Sequence, residues 1–291
     1  MGLPVRWVLD GLTFNTDPDD HGCQYLITEE KGWSGAPETR TSAPSRATGP
    51  GGYPGLVWPQ AREIELHGVV LTPTWQARRH TEHRLATLAA EPGRLYELMC
   101  TEETGTLTTQ VQRAGATEIT IRPGGTALDF TITLTAPDPR KYGPERRVST
   151  GLPSSGRGLD FTGGLDFHGG LDFGPAHSTG LAHVANHGTT TAEPRFVLTG
   201  PLVAPITITR RDTGAHVIYL DSISADEQVL VDLADRIVLT GRANRRYRLA
   251  VTDWDALAIP PRRDGIDYAL AHHAAPNTRA RLTVCWRSAW N

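Results

Sequence analysis

Leu128-Asp129-Phe130-Thr131-Ile132-Thr133-Leu134-Thr135 alternates apolar and polar side chains without a fault. Side chains of an extended backbone point to opposite faces with period two, so this stretch predicts a strand with one face in a core and one in solvent. Arg62-Glu63-Ile64-Glu65-Leu66-His67-Gly68-Val69-Val70-Leu71 alternates in the same way, and Val5 to Phe14 predicts two short strands turned at Asp10-Gly11, a pair suited to positive φ. Further on, Phe196-Val197-Leu198, Ile206-Thr207-Ile208, Val217-Ile218-Tyr219-Leu220, Val229-Leu230-Val231 and Ile237-Val238-Leu239 recur at short intervals between Gly, Asp or Pro. That rhythm predicts a β-sandwich, with Asp264 to Leu270 and Ala280 to Trp286 as its final strands. Thirty glycines and twenty-one prolines break the chain into short pieces, so helix is expected to be scarce. One helix is predicted, from about residue 73 to 90, with Thr72-Pro73 opening it and Glu91-Pro92-Gly93 closing it.

A chain of 291 residues can bury one large core or two ordinary ones, and a Gly/Pro-rich interruption between residues 143 and 180 favours two. Within it, Gly158-Leu159-Asp160-Phe161, Gly164-Leu165-Asp166-Phe167 and Gly170-Leu171-Asp172-Phe173 repeat one tetrapeptide at a spacing of six residues. In an extended chain Leu159, Phe161, Leu165, Phe167, Leu171 and Phe173 share one face, and Asp160, Asp166 and Asp172 share the other. A helix would scatter them around its cylinder, and each glycine would oppose it by roughly 1 kcal/mol. A solenoid is excluded because a single coil cannot bury its own core, and the glycine-rich nonapeptide pattern of calcium-binding β-rolls is missing. Stretched out, Asp160 to Phe173 reaches about 45 Å and presents an apolar edge that a neighbouring surface must cover. The expected architecture is therefore mainly β: a domain over 1–145, an extended linker over 146–176 and a second domain over 177–291. Lys31 to Pro59, dense in Gly, Pro, Ser and Thr, is expected to be a long loop at a surface or an interface.

The net charge of −3 and pI near 6.4 argue against nucleic acid or an anionic membrane as the principal partner. Cys23, Cys100 and Cys285 lie far apart and form no Cys-x-x-Cys pair, so neither a disulfide framework nor a thiolate zinc site is indicated, and a reducing cytoplasm is the expected place of synthesis. No signal peptide is visible, and no run of about twenty apolar residues predicts a membrane span. None of the common motifs for serine nucleophiles, zinc proteases, dinucleotides or phosphates occurs, so no catalytic residue and no cofactor is assigned. His80 and His83 would share a helix face, but Arg78, Arg79 and Arg84 would repel a cation there, so no metal site is assigned. Arg242, Arg245, Arg246 and Arg248 form a basic cluster, read as ion-pair partners at an interface or a solvated face. Trp254, Trp286 and Trp290 are weighed as core or as a platform for a sugar ring, with Trp254, Trp290, Arg262 and Arg263 the candidate glycan or partner contacts.

Taken in order, these residues resemble the distal tail protein family of siphovirus-type, long-tailed bacteriophages. The resemblance rests on Trp7 to Leu12, Arg62 to Gly68, Ala136-Pro137-Asp138-Pro139-Arg140-Lys141-Tyr142, and the repeated Gly-Leu-x-Phe linker. It continues through Gly200-Pro201, Ile206-Thr207-Ile208, Leu230-Val231-Asp232, Trp254 and the closing Leu282 to Trp290. It implies an N-terminal ring-forming β-sandwich and a C-terminal galectin-like β-sandwich. The implied role is a non-enzymatic structural adaptor: a hexameric ring at the distal tail end of a virion, joining the tail tube protein to the tip proteins, with DNA only as cargo passing through the lumen. A carbohydrate-binding module is the alternative. The galectin-like label does not bring sugar binding with it, since function belongs to a site and not to a fold.

Overall fold

The computed structural model describes residues 5–153, 178–251, 253–261, 263–272 and 279–291. The chain divides into two units, Met1–Pro144 with Trp290–Asn291, and Glu145–Ala289.

The first unit holds β1 (Arg6–Leu9), β2 (Leu12–Phe14), β3 (Gln24–Lys31), β4 (Thr39–Thr41), β5 (Val57–Pro59), β6 (Arg62–Leu71), α1 (Trp75–Thr87), β7 (Tyr96–Glu102), β8 (Gly105–Arg113), β9 (Glu118–Ile121), β10 (Ala127–Ala136) and β11 (Lys141–Tyr142). Strand β6 has the bounds that its alternation predicts, and β10 extends the predicted run by one residue at each end. The two pair antiparallel along their whole length, and this ladder is the centre of the unit. Leu128, Phe130, Ile132, Leu134 and Ala136 of β10 are buried opposite Val70, Gly68, Leu66, Ile64 and Arg62 of β6. One path runs β2-β1-β7-β8-β10-β6-β3. Strand β8 makes the corner: Gly105 to Val111 pairs with β7, and Gln112 and Arg113 then pair with β10. Its two flanks face each other across the core, with the Phe14 and Phe130 rings 5.8 Å apart. The first hairpin turns at Asp10 and Gly11, both at positive φ, as expected.

The helix is shorter than expected. Thr74, and not Thr72, caps it: the Thr74 hydroxyl accepts from the Ala77 N–H at 3.2 Å, and the helix begins at Trp75. Thr72 is occupied elsewhere, donating to the Thr126 carbonyl at 2.8 Å. At the far end Ala89 adopts a φ of 49°, and its N–H donates to Asp10, which ties the helix end to the first hairpin.

The second unit holds β12 (Arg146–Thr150), β13 (Leu181–Asn186), β14 (Arg195–Thr199), β15 (Ile206–Arg210), β16 (His216–Tyr219), β17 (Gln228–Asp232), β18 (Ile237–Thr240), β19 (Ala243–Asn244), β20 (Leu249–Val251), β21 (Arg263–Ala271) and β22 (Arg281–Trp286). They form two antiparallel sheets, β12-β22-β14-β17-β18-β19 and β13-β21-β15-β16-β20, the β-sandwich that the strand rhythm predicts. Phe196 of one sheet meets Tyr268 of the other edge-on at 5.0 Å. Residues 146–150, read from sequence as linker, are the edge strand β12, paired over all five residues with β22. The last strand, β23 (Ala289–Trp290), takes the chain end in the other direction. Trp290 and Asn291, read as part of the C-terminal domain, count with the first unit because the strand pairs with β11.

Gly68 must be glycine for lack of room. A Cβ there would lie 2.3 Å from the Leu26 carbonyl oxygen and 2.3 Å from the Phe130 ring. Gly68→Ala is therefore expected to destabilise the protein by about 2 kcal/mol through overpacking of the β6–β10 ladder, read as a lowered urea midpoint. Asp138 gives a pH-dependent case. Burial pushes its carboxyl up, but hydrogen bonds from the Arg140 guanidinium and the Tyr142 hydroxyl, the latter at 2.5 Å, outweigh burial and hold it below the ordinary 3.8. A carboxylate depressed in the folded state adds stability that is complete above its unfolded pKa and lost as pH falls through the folded value. Asp138→Asn should thus unfold at lower urea than wild type at about pH 6, and the gap should narrow as the pH falls below the ordinary 3.8 and on through the lower folded-state value.

Candidate assembly surfaces

The first unit carries one element that has no place in its core. Residues 38 to 60, expected as a loop, form an antiparallel ribbon: β4 pairs with β5, and the Tyr53 N–H donates to the Pro44 carbonyl and the Arg46 N–H to the Gly51 carbonyl closer to the tip. Among the described residues the ribbon pairs with no other sheet. All its residues but Gly55 are exposed, including Tyr53 at 58%, Leu56 at 66%, Val57 at 59% and Trp58 at 53%. A two-stranded hairpin is marginal by itself in water, and four large apolar groups on one mark a surface that awaits a partner.

Its root is held firmly. Arg62, in phase with the apolar face of β6 and 1% exposed, donates to the carbonyls of Gly32, Trp33 and Gly35 from Nη1 and to that of Pro139 from Nε. Lys141 Nζ donates to the same Trp33 carbonyl at 2.8 Å and lies 5.5 Å from the Trp33 ring centre. Burial lowers the pKa of both cations, and the Arg62 charge lowers that of Lys141 further. Trp33 also packs edge-on against Trp7 at 5.1 Å.

Next to this root the first unit has a hollow of about 340 Å³, with Trp7, Ile27 and Trp33 among its lining and carboxylates from Glu29, Glu30 and Glu102. Glu30 accepts from the Trp33 N–H at 3.0 Å and from the Ser34 hydroxyl. Beneath the rim, burial followed by the charge of Glu102 pushes the Cys100 thiol up to about 12, which leaves it an inert core group. A second hollow, of about 440 Å³, lies between Asp10 and the helix residues His80, His83 and Arg84. His80 meets the His21 ring at 5.3 Å, and among the described residues no three potential ligands are grouped for a metal ion.

In the second unit the basic cluster lies at the sheet edge formed by β19 and the 3-10 turn after it. Arg246 stacks over Trp254 at 4.8 Å, Arg248 pairs with Asp221 at 3.2 Å, and Arg245 donates to the Tyr247 hydroxyl at 2.8 Å. Trp254 is therefore half-buried under a guanidinium. Trp286 is buried, with its indole N–H on the Ala185 carbonyl, and belongs to the core. Trp290, half-buried, belongs to the first unit. Arg263 opens β21, its side chain not described, and Arg262 lies outside the described residues, as do Leu159, Phe161, Leu165, Phe167, Leu171 and Phe173. Among the described residues no helix is long and apolar enough to cross a membrane.

No family model matches the chain, and no curated protein does. Among solved structures it is similar to the Dit protein (gp 19.1) of phage SPP1, described as a paradigm of the hub adsorption apparatus in phages that infect Gram-positive bacteria. The identity is 15% and the TM-score 0.67, over 99% of each chain. The two chains share a fold. Chains of the phage p2 baseplate in its activated conformation are more distant: 8% identical with a TM-score of 0.49 over 97% of this chain and 98% of that one, and 9% with 0.48 over 97% of each.

Hydrogen bonds from Arg245 and then Arg248 hold the Tyr247 hydroxyl pKa below the ordinary 10.0. Replacing Arg245 by Met should raise the Tyr247 titration midpoint, read by NMR of ring-labelled tyrosine.

Proposed function

We propose that this protein is a distal tail protein of a long-tailed phage or tail-like particle, a structural adaptor without catalytic activity. The observation that carries this reading is a fold shared with SPP1 Dit over 99% of both chains, on a sequence whose ordered motifs resemble the same family. The first unit forms a hexameric ring that continues the tail tube, and the second unit contacts the tip or host-recognition proteins. Two separately cored units suit such work, since one can be fixed by symmetry while the other is free for a different partner. A ring needs a heterologous contact, in which one patch of a subunit meets a different patch of the next. The Gly-Leu-Asp-Phe repeats fall between β12 and β13, within the second unit and not between the two units, and serve there as an arm whose apolar edge is covered by protein.

Light scattering coupled to gel filtration, with negative-stain imaging, tests the reading on the full chain. The expected result is a six-membered ring at micromolar concentration, alone or with the tube protein. A protein that stays monomeric at every salt concentration and with either neighbour overturns it.

A further inference from the structure

Three features of the exposed ribbon bear on what covers it. Its apolar groups are concentrated on the returning arm: Val57 and Trp58 lie in β5, with Leu56 directly before the strand and Tyr53 three residues earlier. Its edges are poor templates for strand addition, because Pro44, Pro50, Pro54 and Pro59 remove backbone donors along it. The partner must therefore be met through side chains. The ribbon also contains Arg40 and Arg46 against one carboxylate, Glu38 at its base, although the chain as a whole has a net charge of −3.

The hollow beside Trp7 and Trp33 has the opposite character. Its lining mixes Val5, Trp7, Ile27 and Trp33 with neutral polar side chains, and its charges are Glu29, Glu30 and Glu102. Of these, only Glu29 has a cation within ion-pair distance among the described residues, Lys31 at 3.8 Å. The ribbon does not occupy the hollow of its own subunit, since its apolar side chains are all exposed. Extended from a root that Arg62 and Lys141 hold in place, the ten residues from Thr39 to Thr48 reach about 30 Å. Such a root restricts the ribbon's directions before it binds, which reduces the ordering cost of docking.

We propose that the ribbon of one subunit docks into the Trp7–Trp33 hollow of the next copy, with Leu56 and Trp58 against the apolar lining and Arg40 and Arg46 facing Glu29 and Glu102. This rests on the ring reading and gives its heterologous contact a location. A basic, apolar finger that does not occupy the acidic hollow of its own subunit and enters that of the next produces head-to-tail association, which closes into a ring when the rotation permits.

The test uses the full chain with a benzophenone amino acid at Trp58, irradiated and mapped by mass spectrometry, together with variants read by light scattering. The expected cross-links run between chains, from position 58 to peptides covering residues 24–34 or 102. Leu56→Ser with Trp58→Ser should leave the thermal unfolding of the monomer unchanged and weaken assembly by about tenfold or more. Arg40→Glu with Arg46→Glu, and Glu29→Arg with Glu102→Arg, should each weaken it similarly, and the four changes combined should restore it. Rings that persist in the Ser variant overturn the docking while leaving the ring reading intact. Cross-links confined to the same chain, to the second unit or to another tail protein also overturn it. A wild-type chain that never associates defeats both readings at once.

Discussion

Burial of the Arg62 guanidinium organises the first unit. A cation with 1% exposure must have its donors satisfied, and no carboxylate reaches this one within ion-pair distance among the described residues. Backbone carbonyls meet that demand in part, Gly32, Trp33 and Gly35 at Nη1 and Pro139 at Nε, while Nη2 is buried with no hydrogen-bond partner among the described residues. Two irregular segments far apart in sequence, the chain entering the ribbon and the chain leaving β10, are thereby fixed to one strand. Gly32 is required in this place, since its φ is 84° and a Cβ would lie 1.9 Å from the Glu63 carbonyl oxygen. Lys141 reinforces the same point from β11, on the Trp33 carbonyl that Arg62 also uses.

The second unit meets a similar demand by a different means. Arg210, 6% exposed at the end of β15, donates to the carbonyls of Ala256 and Ala258, and its other face is held by both oxygens of Asp212. Here the charge has a counter-ion two residues away, and the carbonyls it holds belong to the short helical turn below Trp254. Tyr268 fixes the same turn through a hydrogen bond from its hydroxyl to the Leu257 carbonyl, and burial raises its pKa. In both units, then, one buried arginine on a core strand positions irregular chain next to aromatic side chains, the exposed ribbon in the first and the half-buried Trp254 in the second.

How much of this the sequence revealed depends on whether an element has a hidden face. Strands β6, β10, β14 to β18, β21 and β22 alternate because one side of each is buried, and their periodicity is legible. The place of Arg62 was legible too, since it falls in phase with Ile64, Leu66 and Val70, but the pattern does not tell what satisfies a charge there. The ribbon has no hidden face in the subunit, so no alternation is imposed on it, and its Gly, Pro, Ser and Thr read as loop. Strand β12 was missed for a related reason: as an edge strand it exposes Arg146, Arg147 and Ser149 and buries only Thr150. The choice of Thr74 over Thr72 as helix cap depended on a distant acceptor, the Thr126 carbonyl, that no local window contains. Trp290 was assigned by its position in the chain, whereas the pairing of β23 with β11 decides where it belongs.

The contrast between the ribbon and its root is informative about assembly. A segment that only had to stay soluble would not keep Tyr53, Leu56, Val57 and Trp58 in water, and one that only had to bind promiscuously would not need its base fixed by two buried cations. Burying an arginine without a carboxylate at ion-pair distance, the Glu30 charge acting only from farther off, has a cost that well-packed apolar residues of similar volume would avoid. Its retention at the base of an exposed, apolar finger is understandable if direction matters more than local stability. In a closed ring each contact must repeat at a fixed rotation, so a small error in direction at the root is multiplied around the circle. A rigid root under a finger with prolines on both strands meets that requirement, and a mobile loop of the same composition would not.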